Sequence, residues 1–69
     1  MHLIKLKTKE HDWTYINAGE ILSFYYNKQE NITIIEMKNQ KIYTVNENML
    51  IQLSKTITIL SSGNTSTLE

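Results

Sequence analysis

From His2 to Val45 the chain is cut into five short runs of mostly apolar or alternating character, each bounded by polar turn residues. That rhythm constrains the fold more than any other feature. A period of two is the period of a strand, and runs this short cannot form helices that bury a continuous face. HLIKLK (2–7) ends in alternation with lysine and suggests an edge strand, with Lys5 and Lys7 on one face and Ile4 and Leu6 on the other. TKEH (8–11) is a polar turn. DWTYIN (12–17) sets Trp13 and Tyr15 on one face and Thr14 and Ile16 on the other, with good strand formers throughout. Asn17-Ala18-Gly19-Glu20 breaks the pattern. Asn accepts local hydrogen bonds and Gly tolerates positive φ, so the chain is expected to turn at Gly19.

ILSFYYN (21–27) is a third strand that places Leu22, Phe24 and Tyr26 towards a core and Ile21, Ser23 and Tyr25 on the opposite face. After the turn KQEN (28–31), ITIIEMK (32–38) is partly apolar on both faces, and KIYTV (41–45) follows the tight-turn candidate Asn39-Gln40. Two registers are open for this last hairpin. A two-residue loop pairs Met37 with Ile42 and Ile35 with Thr44. A three-residue loop with a bulge pairs Met37 with Tyr43 and Ile35 with Val45, gathering more apolar surface on one face. Gln40 stands where the tightest turn favours Gly, which favours the bulged loop.

After Val45 the period changes. Met49, Leu50, Leu53, Ile57 and Leu60 recur at helical spacing, Asn46 or Asn48 can cap the first turn, and Glu47 suits the positive end of the helix dipole. The β-branched stretch TITIL allows the helix to stop near Lys55. The expected fold is therefore α+β and mainly β: an antiparallel meander of about five short strands, then one C-terminal helix on which Leu50 and Leu53 face the sheet. Residues 1–60 form the domain. Residues 61–69, SSGNTSTLE, have the composition of a flexible tail, with a terminal Leu-Glu that resembles a cloning scar. One helix covers one face of such a sheet. The other face, carrying part of Trp13, Tyr15, Tyr25 and Ile32, calls for cover by curling or by a second subunit.

Composition narrows the function. A chain of 69 residues buries only about 60% of its unfolded surface, so its stability margin is thin and burial in a dimer is a natural supplement. No cysteine is present, which suits a cytoplasmic protein. The longest aliphatic run, Met49-Leu50-Ile51, is far short of a membrane span, and the charged start MHLIKLKTKE is not a signal peptide. Seven acidic residues balance seven basic ones, all lysine. The missing guanidinium fork weighs against phosphate clamping and base reading. Abundant Ile, Lys and Asn without Arg or Pro suits a low-GC bacterium or one of its phages.

Catalytic and metal chemistry finds little purchase. His11-Asp12 is the one adjacent pair with the look of a site, but three or four ligands must converge on a metal and the other histidine is His2. A solvated turn is the favoured reading. No serine lies in a nucleophile-like context, and the isolated Gly19 and Gly63 make no phosphate loop. No catalytic residue, cofactor or metal is expected. The aromatic residues are read first as core and dimer packing, with Trp13, Tyr15 and Tyr25 at an interface. The alternative is a weak nucleic-acid platform of exposed rings flanked by Lys5, Lys7, Lys38 and Lys41.

Over the segment YINAGEILSFYYNKQENITIIEMKNQKIYTVNEN the chain resembles the small FlbD/SwrD-type flagellar proteins. The matching positions are Tyr15, Asn17, Ile21 or Leu22, Ile34, Ile35, Met37, Asn39, Lys41, Tyr43, Val45 and Glu47. The family's usual Pro after the Asn is Ala18 here, and its turn Gly is Gln40. A looser likeness is to the LytTR-type DNA-binding domain, whose basic contact residues are missing. The flagellar resemblance implies a non-enzymatic motility accessory factor; composition fits a phage or mobile-element protein equally well. The resulting expectation is a cytoplasmic interaction module that self-associates as a homodimer, with weak nucleic-acid binding as the alternative.

Overall fold

Five antiparallel strands and one helix account for the two periods of the sequence. The structure, a computed structural model, describes residues 2–64, with side chains to Ile59. The strands are β1 (Leu3–Thr8), β2 (Asp12–Asn17), β3 (Ile21–Asn27), β4 (Ile32–Met37) and β5 (Ile42–Val45). A one-turn 3-10 helix, Ala18–Glu20, separates β2 from β3, and α1 (Leu50–Asn64) follows β5. The helix thus runs past Lys55. Of the tail expected over 61–69, residues 65–69 lie outside the described residues.

The strand order in the sheet is β2-β1-β5-β4-β3. Consecutive strands form the hairpin β1–β2 and the meander β3–β4–β5, while β2 and β3 stand at opposite edges. β1 is therefore not the edge strand that its lysines suggested: it lies between β2 and β5, meeting β5 at Thr8↔Val45. In a flat sheet the two edges would be four strand spacings apart, roughly 19 Å. The chain from Asn17 to Ile21 spans at most about 14 Å. The sheet must curl, and its concave side becomes the core. Leu6, Ile16, Ile35, Met37 and Val45 line that side, with Met49 and Leu53 packed among them and Ile4, Ile21, Phe24 and Tyr43 at the margin. Ile32, expected on the opposite face, is also buried.

Three local features depart from simple alternation. The β3–β4 register shifts between Ile21 and Ser23, so Leu22 is the extra residue of a bulge. A bulge reverses the faces of everything before it. Ile21 therefore packs on the core, whereas Leu22, expected beside Phe24, is 61% exposed. Tyr26 is half-buried, and its hydroxyl donates to Asn31 Oδ1 at 2.6 Å. Gly19 does sit in the turn, but not for its freedom at positive φ: among the described residues no glycine has positive φ, and a methyl group at Gly19 would meet only Asn17 Oδ1 at 3.4 Å. Asn17 makes the turn instead, its Oδ1 accepting from the Gly19 N–H at 3.0 Å.

The β4–β5 hairpin adopts neither expected register. Ile35 pairs with Tyr43 and Thr33 with Val45, and the Met37 N–H donates to the Lys41 carbonyl at 2.9 Å. Its three-residue loop is Lys38-Asn39-Gln40, closed by the Gln40 N–H on the Met37 carbonyl at 3.0 Å. The inward set is the one the bulged alternative proposed, displaced by two residues, which preserves every face. Gln40 has φ 74°, a left-handed conformation that costs a residue with a Cβ about 1–2 kcal/mol. Gln40→Gly is expected to remove that strain, less about 0.5–1 kcal/mol for the freer unfolded chain. The midpoint of thermal unfolding should rise by a few degrees. A lower midpoint would show that the Gln40 side chain, not its backbone, matters there.

The helix start is fastened to the sheet through Thr33, which is fully buried. Its hydroxyl donates to the Glu47 carbonyl at 2.6 Å and accepts from the Met49 N–H at 2.9 Å. Asn48 Oδ1 accepts from the Leu50 N–H at 3.0 Å, so two of the first free helix donors are met by side chains. Leu53 then faces the core, whereas Leu50, expected beside it, is half-buried outside the core cluster.

Candidate interaction surface

Alternation on the β1–β2 hairpin brings residues from two separate runs onto one convex wall. Lys7 pairs with Trp13, Lys5 with Tyr15 and Leu3 with Asn17. Their even-numbered neighbours Leu6 and Ile16 are in the core, so these side chains point outward. Trp13 is 58% exposed and Tyr15 62%. Lys5 Nζ lies 5.2 Å from the centroid of the Trp13 ring and Lys7 Nζ 6.0 Å, within cation–π reach. The wall is amphipathic, with two large rings beside two cations.

The other expected site residues lie elsewhere. Tyr25 is exposed on β3 and pairs with Ile34, at the opposite end of the strand order from Trp13 and Tyr15. Lys38 and Lys41 flank the tip of the β4–β5 hairpin. Because β5 is antiparallel to β1 and meets it only at Val45, that tip points away from Lys5 and Lys7. The four lysines therefore do not converge on one set of rings.

The 9–11 loop has structural work to do. The Glu10 carboxylate accepts from the Thr44 N–H and from the Thr44 hydroxyl, each at 2.8 Å, clipping the first hairpin to β5. The His11 ring lies against Tyr43 at 5.7 Å, and the His11 main-chain N–H donates to Thr8 Oγ1 at 3.0 Å. Asp12, with φ 58°, completes the turn. Partial burial alone would push the Glu10 carboxyl up. Donation from the Thr44 N–H and hydroxyl and from its own backbone N–H, together with the charge of nearby His11, outweighs burial and holds the group below the usual carboxylate range. A depressed carboxyl contributes stability that is fully present above its unfolded value and is lost as pH falls through its folded value. Urea titrations from neutral pH into this acid range should show Glu10→Gln losing less stability than the parent protein. Equal losses would remove Glu10 from the acid limb.

A shallow apolar hollow of about 480 Å³ runs along α1 between Leu50, Ile51, Ser54, Lys55, Thr58 and Ile59. Ile51 and Ile59 are exposed. Sequence reasoning followed the Met49-Leu53-Ile57 stripe and missed this second one, although Ile51, Lys55 and Ile59 recur at the same four-residue spacing. Among the described residues, no group of three or more His, Asp or Glu side chains comes together, and no helix is long and apolar enough to cross a membrane. Comparison with protein-family models, with curated proteins and with solved structures finds no match.

Proposed function

We propose that this chain is a non-enzymatic interaction module that self-associates through the convex wall of its β1–β2 hairpin. The observation that carries this reading is the exposure of Trp13 and Tyr15 side by side on a rigid two-stranded support. Large rings with polar tips are the residues that anchor interfaces, and each typically contributes over 1 kcal/mol there. The residues with chemical potential, Glu10, His11 and Asp12, are engaged in holding a loop. The resemblance to FlbD/SwrD-type proteins supports a cytoplasmic motility accessory role, and the Arg-free composition supports a phage or mobile-element origin equally. Sedimentation from about 1 μM to about 1 mM tests the reading, since weak dimers fall in this range. Self-association is expected, and Trp13→Ala should weaken it at least about fivefold. A folded monomer throughout, with Trp13 emission like that of indole in water, overturns it.

Weak nucleic-acid binding is the second reading, favoured by the stacking of Lys5 and Lys7 about the Trp13 ring. With two lysines on this wall and net charge zero, few phosphates are neutralised, so duplex DNA should bind weakly and without sequence preference. Sub-micromolar, sequence-selective binding at near-physiological salt would replace the first reading with this one.

A further inference from the structure

The sheet has two edges, and they differ. β3 is interrupted by the Leu22 bulge, a device that spoils edge pairing. β2 is six residues long with neither bulge, Pro nor Gly, and its one charge is Asp12 at the very start. The lysines that guard this hairpin are on β1, one strand in from the edge.

The hydrogen-bond phase of the edge follows from two bonds. The Ala18 N–H donates to the His2 carbonyl at 2.8 Å, which fixes the even-numbered residues of β2 as those bonded to β1. The Lys9 N–H donates to the Thr44 carbonyl at 2.8 Å, so the odd residues of β1 face β5, as the same phase requires. Alternate residues of a strand turn their amides to opposite sides. Trp13 and Tyr15 therefore present both N–H and C=O outward along the edge, and Asn17 its N–H, the Asn17 carbonyl being engaged as the N-cap of the 3-10 turn; Tyr15 is the middle residue.

We infer that a second copy of the chain adds to this edge, β2 to β2, antiparallel, with the two-fold axis at Tyr15. This rests on the proposed self-association and specifies its geometry. The occupant is a second copy because the edge is complementary to itself. Centred on Tyr15, the pairing lets the two Tyr15 residues exchange both main-chain bonds and offers each outward Asn17 N–H the Trp13 carbonyl of the other copy. It sets Tyr15 against Tyr15 of the partner subunit and Trp13 against Asn17 of the partner subunit. The zero net charge opposes no such approach. Each exposed ring offers roughly 100–150 Å², so the rings of two copies supply well under the roughly 1,200 Å² of a standard interface. The dimer belongs to the weak, exchanging class, and the strand hydrogen bonds decide its register.

The chain has no cysteine, so single substitutions report geometry cleanly. In a hydrogen-bonded antiparallel pair the Cα atoms are about 5.5 Å apart, inside the usual disulfide window of about 4.4–6.8 Å. Tyr15→Cys is expected to form a disulfide-linked dimer under mild oxidation. Trp13→Cys is not, because its counterpart is displaced by four residues, about 13 Å. Trp13→Cys mixed with Asn17→Cys should link. Tyr15→Pro deletes only an outward N–H from the ladder and should give a folded monomer by circular dichroism and sedimentation, whereas Tyr15→Thr, which keeps the amide, should retain some dimer. A parent protein that self-associates while Tyr15→Cys fails to link, or Trp13→Cys links as readily, overturns the edge pairing and leaves self-association standing. A parent protein that is monomeric throughout overturns both.

Discussion

Leu53→Ala is expected to unfold a large part of the population at physiological temperature. Leu53 is 1% exposed and is packed among residues of both halves of the curled sheet. Truncating a buried leucine costs about 2–5 kcal/mol, from lost transfer free energy and from the cavity left behind. A domain of this length has only about 3–10 kcal/mol in total. The exposed Ile51 is the internal control: Ile51→Ala removes similar apolar volume from the same helix and should change stability by less than about 0.5 kcal/mol. Denaturant midpoints for the two variants decide the matter. Equal midpoints would mean that the helix presents a different face to the sheet.

The second large effect is at Thr33. Its hydroxyl satisfies two main-chain groups at the helix start, the Glu47 carbonyl and the Met49 N–H. Thr33→Val keeps the shape and deletes both bonds. Each buried group left without a partner costs about 1–3 kcal/mol, partly offset by the apolar gain of the methyl, so a net loss of about 2–4 kcal/mol is expected. Thr33→Ser separates the causes. It keeps the hydroxyl and deletes one methyl, which costs about 1 kcal/mol. Thermal unfolding should rank the proteins parent, Ser, Val. If Val proves the milder change, the residue matters for packing and the helix start is held by Asn48.

Much of this architecture is legible in residue patterns. Alternation in DWTYIN assigns Trp13 and Tyr15 to one face and Ile16 to the other, and the structure keeps that assignment because no irregularity interrupts β2. The stop of the last strand at Val45 and the helical spacing after it are equally plain. Leu22 was misread for a local reason. One inserted residue reverses the faces before it, and nothing in ILSFYY marks where the insertion falls. The 37–41 hairpin escaped because two registers separated by two residues bury the same faces, so apolar pattern cannot tell them apart, and Gln40 disguises a position where glycine would have announced the turn. The placement of Tyr25 and Trp13 on different edge strands, and the separation of Lys38 and Lys41 from Lys5 and Lys7, depend on strand order. The curl of the sheet in turn follows from a link too short to span it flat, a constraint visible only once β2 and β3 are known to be edges.

The seam between β1 and β5 has a consequence for how the chain assembles during synthesis. Thr8 and Val45 are far apart along the chain, yet theirs is the pairing that joins the two hairpin units. The first hairpin leaves the ribosome early and has no interior partner until β5 has followed. Until then β1 and β2 both show bare backbone, and charged side chains such as the lysines of β1 are of the kind that discourage pairing at an exposed edge. The alternation of lysine in HLIKLK, which in the finished sheet faces solvent beside Trp13, is equally suited to a strand that spends its first moments exposed.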